Sequence, residues 1–307
     1  MKPAHFILMV VMNCFWAGAY SAFKALAPHL DAGEVTTLRY GLAALILLVA
    51  WPMLRGAAPR GRDLVRTCLM GVIVFVLAPR LQVAGVQRGQ AGDASVLMAL
   101  EPLITSVAAA LFLREHIGPR RWMGFSLGLL GVVLMAQVWR PDFHLPGLTA
   151  NGFFVASFVC ETAYSIMGKP LLGRVGLVKT VALALVAGTA VNVAIDGPKT
   201  LHAASALPLR AWAVMAYLVI VCTIVGYVVW FVVIRETEVS VTVLTVLIQP
   251  VVGLAIATVA LKEALHWGQL WGSGAIIAGL AIGLSRQLRR APAAGGSSLS
   301  AEDRRRG

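Results

Sequence analysis

Two carboxylic acids, Glu101 and Glu161, sit within stretches that are otherwise apolar. A charge at the middle of a membrane-spanning helix costs at least about 2.5–3.5 kcal/mol, so such a residue faces protein or water and is a functional candidate by default. A carboxylate placed there meets a substrate ammonium or carries a proton. The structural alternatives are an ion pair or a protonated acid satisfied by backbone. Gln249 can both donate to and accept from a substrate. Arg39 and Arg80 bring the planar fork that holds a carboxylate in two parallel bonds, which suits the other end of an amino acid. Each can equally pair with a neighbouring acid or reach out to the interface. Pro79, Pro102 and Pro250 lack an N–H, so each frees a carbonyl one turn earlier. Such carbonyls can bind an ammonium, or the prolines only kink their helices.

Enzyme chemistry is not signalled. The histidines scatter to span ends and loops, and no pair of them has metal-ligand spacing. Cys14, Cys68, Cys160 and Cys222 lie in apolar segments and read as packing residues. No catalytic residue, metal or cofactor is expected.

The elements that must position these residues are written for lipid. A soluble domain carries roughly a quarter charged residues; here 13% are charged and 59% hydrophobic, with a mean hydropathy of +0.81. The net charge of +12 lies in short runs between apolar stretches, a topology signal and not a nucleic-acid stripe. About 20 helical residues cross a bilayer core of roughly 30 Å. Segments 5–23, 35–54, 65–86, 92–113 and 118–138 meet that rule, and so do 150–168, 177–195, 210–234, 239–260 and 267–285. The first span follows Lys2 directly and reads as uncleaved. Lys and Arg number 18 in the connections on one side of the spans and seven on the other, which predicts both termini in the cytoplasm. Residues 1–139 form a first five-helix unit, 140–149 a periplasmic linker, 150–285 a second unit, and 286–307 a disordered basic tail.

The halves repeat. Glu101-Pro102, Leu113-Arg114-Glu115, Gly124 and Gly131 return 148 residues later as Gln249-Pro250, Leu261-Lys262-Glu263, Gly272 and Gly279. Five spans per unit turn the second copy upside down, and such inverted repeats build one midplane site with two entrances. The glycines, seven apart, predict close helix packing. Glu115 and Glu263 read as charged helix ends at the interface.

This set of motifs, with Trp16-Ala17-Gly18 and Lys24 in the first span and Arg39 in the second, resembles the EamA-type branch of the drug/metabolite transporter superfamily. The resemblance covers residues 5–285. It implies an all-α integral membrane protein with ten transmembrane helices in two inverted five-helix repeats around a central cavity. The cavity is lined by the first, third, fourth, sixth, eighth and ninth spans. That adds Trp16, Tyr20, Phe75, Tyr164, Tyr227, Trp230 and Met98 to the substrate-binding candidates Pro79, Arg80, Glu101, Glu161 and Gln249. The implied activity is export of small metabolites by alternating access in the bacterial inner membrane, with substrate and lipid bilayer as partners. Bacterial exporters of aromatic and other amino acids are the most similar branch; cationic drugs are the rival cargo and a membrane-embedded enzyme a remote one. Two departures bear on the site: Gln249 replaces the second Glu, and Glu161 lies near the position of Trp16 in the first unit.

Overall fold

The computed structural model describes residues 1–82, 100–139, 148–252, 255 and 267–289, and among them every regular element is helical. Met98, the Leu261-Lys262-Glu263 motif, the core of the linker (140–147), the tail from 290 and the side chain of Tyr20 lie outside the described residues. The helices are α1 (Pro3–Leu26), α2 (Ala32–Val49), α3 (Arg62–Gln82), α4 (Leu100–Leu113), α5 (Pro119–Ala136), α6 (Leu148–Gly168), α7 (Leu177–Ser205), α8 (Leu209–Glu236), α9 (Val239–Val252) and α10 (Trp267–Arg289). Of these, α2, α3, α7, α8 and α10 are long and apolar enough to cross a membrane. In lipid a helix is favoured because it satisfies its backbone groups within itself.

Local chemistry sets the ends. Helix α2 starts on a reciprocal cap: the Asp31 side chain accepts from Glu34 N at 2.8 Å, and Asp31 N donates to the Glu34 carboxylate at 2.7 Å. Helix α7 runs ten residues beyond its predicted end at 195 and passes through Pro198, because its last turns leave the apolar stretch at Asp196 and carry polar residues.

Helices α5 and α10 cross on the repeated glycines. A Cβ on Gly124 would lie 2.8 Å from the Gly279 carbonyl oxygen, and one on Gly131 would lie 2.5 Å from that of Gly272. Only glycine permits this approach, and the pairing runs antiparallel. Helices α2 and α7 are also antiparallel, with Asp31 beside Lys199 and Gly41 beside Thr189. Helices α4 and α6 are parallel, joined by Thr105 with Thr162 and Glu115 with Lys169.

Ion pairs tie the bundle at both ends. At one end are Lys2 with Glu236, Arg121 with Glu238 and Lys169 with Glu115; at the other are Lys199 with Asp31 and Arg80 with Asp196. Glu115 is the most enclosed of these acids, its side chain only 6% exposed. Arg114 takes a left-handed conformation (φ 56°) that ends α4 and turns Glu115 back. Its carboxylate then accepts Val239 N (2.7 Å), Ser240 N (2.9 Å) and Ser240 Oγ (2.8 Å). An acid from one half thereby caps the open N–H groups of α9 in the other. Burial pushes the Glu115 carboxyl up, but the Lys169 ammonium and the Ser240 and Val239 amides outweigh it and hold it below the usual carboxylate range. A depressed folded-state value means the stabilisation is complete above the unfolded carboxyl value, about 4.3, and is lost as pH falls through the folded value. Thermal unfolding in detergent should therefore show a decline below about pH 4–5 that Glu115→Gln flattens. The substitution should also cost about 1–3 kcal/mol at neutral pH.

Candidate substrate site

Two irregular helices frame the site. Helix α3 contains a π-helical stretch, Ile73–Leu77, and α8 a longer one, Tyr217–Val225. The two stretches end 148 positions apart, at Leu77 and Val225, the same offset that relates the sequence motifs. Each exposes a carbonyl that a neighbouring helix caps. Pro79 cannot donate to Phe75 O; the Asn192 amide of α7 does so instead, at 2.9 Å. In α8, Trp16 Nε1 donates to Cys222 O at 3.0 Å, and Gly226 makes this possible because a Cβ there would meet the indole at 2.8 Å.

Two polar clusters stand at positions related by the repeat. In the first, buried Asn13 donates to Met9 O at 2.8 Å and to Thr245 Oγ1 at 3.1 Å, and it accepts from Gln249 Nε2 at 2.9 Å. In the second, Thr105 and Thr162 share a hydroxyl hydrogen bond at 2.7 Å. Glu101 lies one turn before Thr105 on α4 and Glu161 beside Thr162 on α6, so both acids stand next to the contact between these helices. Both acids are half-buried, and among the described residues neither has an ion pair. Asn13 precedes Glu161 by 148 positions, as Glu101 precedes Gln249. One cluster is therefore a closed amide pair and the other holds two acids that form no ion pair among the described residues.

Aromatic rings pack between the framing helices. Tyr164 stacks on Phe231 with centroids 4.1 Å apart, Tyr227 meets Tyr164 at 4.8 Å, and Phe75 meets Tyr227 edge-on at 5.0 Å and Tyr40 at 4.9 Å. Tyr164 donates its hydroxyl to Tyr227 O at 3.1 Å, and Trp230 Nε1 donates to Ser165 Oγ at 2.9 Å. Phe75, Tyr164 and Trp230 are buried; Trp16 and Tyr227 are half-buried and keep a reachable face. Trp16 and Trp230 lie 6.0 Å apart.

The candidates read from the sequence thus separate. Phe75, Tyr164 and Tyr227 come together from α3, α6 and α8, and Glu101 and Glu161 stand on α4 and α6, the helices joined by Thr105 and Thr162. Gln249 belongs to the Asn13 cluster. Arg80 is engaged by Asp196 and, at 3.0 Å, by Asn192 Oδ1, and this pairing sits with the capped Pro79 turn. Asn13, Thr105, Thr162, Asn192, Thr223 and Tyr40 were not singled out from sequence. For Asn13 a signal existed, since the repeat offset carries it onto Glu161. Among the described residues no group of three or more His, Cys, Asp or Glu is arranged to hold a metal ion.

A helical membrane bundle with polar clusters at repeat-related positions and a group of packed aromatic rings has the character of a carrier. The EamA-like transporter family model matches residues 4–137 and again 148–284, one match per half, and the chain belongs to that family. It is a multi-pass membrane transporter and not an enzyme. It is 24% identical to an uncharacterized transporter of Archaeoglobus fulgidus over 90% of this chain and 97% of that one. It is 26% identical to a probable terminal-alkyne amino-acid exporter of Streptantibioticus cattleyicolor over 92% of this chain and 94% of that one. A solved crystal structure, 17% identical, shares the fold with a TM-score of 0.76 over 94% of this chain and 99% of its own.

The capped turn makes a sharp mutational test. Asn192→Ala should cost about 1–3 kcal/mol by leaving Phe75 O unsatisfied. Pro79→Ala restores an N–H to that carbonyl. Unfolding of the double variant should therefore cost less than the sum of the single variants, a coupling read from a double-mutant cycle.

Proposed function

We propose that this transporter exports small zwitterionic metabolites, amino acids foremost, from the bacterial cytoplasm across the inner membrane. It does so by alternating access between two five-helix halves threaded in opposite directions, ten spans in all with both termini inside. The observation that carries this reading is the placement of Glu101 and Glu161, neither in an ion pair among the described residues, on the two helices joined by Thr105 and Thr162, beside the aromatic group Phe75, Tyr164 and Tyr227. A site of this make-up meets an ammonium with charge and an amphipathic side chain with rings.

Opposite threading draws support from the glycine crossing. Exchanging the halves turns the contact of Gly124 with Gly279 into that of Gly272 with Gly131, which is the self-complementary contact of a two-fold relation. The separate match of the family model to each half agrees. The ion pairs at the two ends join residues of different halves, so rocking about the middle would open one set while the other holds. The likeness to the probable terminal-alkyne amino-acid exporter of Streptantibioticus cattleyicolor favours amino acids as cargo. Cationic drugs are the second reading, favoured by the same acids and rings; the guanidinium of Arg39 in the same neighbourhood weighs against a purely cationic cargo.

Proteoliposomes loaded with labelled amino acids should release them only when the protein is present, and Glu101→Gln should slow release at least about tenfold by removing a charge-assisted contact. Equal release from empty liposomes and from both variants contradicts the proposal. Release of a cationic dye without any amino acid would move it to the drug reading.

A further inference from the structure

We propose that Arg39 is a carboxylate subsite, so that an amino acid is held with its carboxylate at Arg39 and its ammonium toward Glu161. The assignment rests on the amino-acid reading above and specifies how that cargo lies. Arg39 is on α2, and its Nε donates to Thr223 Oγ1 at 2.6 Å. Thr223 in turn donates to Leu218 O at 2.8 Å, inside the π-helical stretch of α8, so one edge of the guanidinium is anchored to an irregular turn. The rings of Phe23 and Tyr40 lie 5.6 and 5.1 Å from its Cζ, a setting that steadies a cation without neutralising it.

The rest of the fork is unclaimed. Among the described residues the two Nη groups have no hydrogen-bond partner and no ion pair, and neither is sealed in protein. The Tyr40 ring beside Arg39 meets Phe75 at 4.9 Å, Phe75 meets Tyr164 at 6.2 Å, and Glu161 lies one turn before Tyr164 on α6, so Arg39 and Glu161 border one aromatic group; yet among the described residues they form no ion pair. Elsewhere this chain closes such pairs directly, Arg80 on Asp196 and Arg121 on Glu238. Opposite charges kept apart in a low-dielectric setting are costly unless something joins them. A molecule carrying a carboxylate and an ammonium on one carbon does so, and the planar fork matches the carboxylate bidentately. The surrounding rings favour an aromatic or other apolar side chain.

The test is competition for labelled L-phenylalanine bound to the purified full chain in detergent. 2-Phenylethylamine keeps the ring and ammonium but lacks the carboxylate; 3-phenylpropionate keeps the ring and carboxylate but lacks the ammonium. On the wild-type protein each should compete at least about tenfold more weakly than phenylalanine. Arg39→Gln should lower phenylalanine affinity to that of the amine and leave directly measured amine affinity unchanged. 2-Phenylethylamine equal to phenylalanine on wild type, or equal weakening of both ligands by Arg39→Gln, overturns the assignment while the amino-acid reading stands. If Arg39→Gln does not fold, the wild-type comparison decides alone. No phenylalanine binding to wild type overturns both.

Discussion

In hydrocarbon a polar group that loses its partner has no water to turn to, and each such loss costs several kcal/mol. This constraint governs where the bundle is irregular and what stands beside each irregularity. Pro79 removes a donor from α3, and Asn192, from a helix far along the chain, supplies another. The π-helical stretch of α8 presents Cys222 O, and the Trp16 indole closes it. Satisfied groups of this kind hold shape; Arg39, Glu101 and Glu161, which form no ion pair among the described residues, are the groups that the proposed function assigns to substrate.

The two halves share a scaffold and differ in chemistry. Glycines at matched positions interlock α5 with α10, and the π-helical stretches end at matched residues. At the polar clusters the match is positional only: Asn13 with Gln249 forms a closed neutral pair where Glu161 and Glu101 form an acidic one. A symmetric frame with one acidic side would orient a bound cation toward that side. It also concentrates the cost of desolvated charge in one place, where a ligand cation can offset it.

Much of this was legible in the sequence. The offset of 148 announced the duplication, and glycines seven apart announced close helix packing, though not that α5 and α10 pack on each other. The acids stood out because charge is rare within apolar spans. Partners were harder to read, because they come from helices distant in sequence. Nothing near Arg80 points to Asp196 or Asn192, and Glu115 looks like an ordinary helix end until α9 arrives with its open N–H groups. The end of α7 was misread at 195 because apolar run length stood in for helix length, and a helix persists past lipid where water serves its last carbonyls.

The whole account turns on halves that run through lipid in opposite senses. Asp142 and Arg290 are 148 positions apart and hold equivalent places after the last span of each half. In a background with the native cysteines replaced, Asp142→Cys and Arg290→Cys should react with a membrane-impermeant maleimide from opposite faces. The first should label on intact cells and the second only after permeabilisation. Labelling of both from the same face would contradict it.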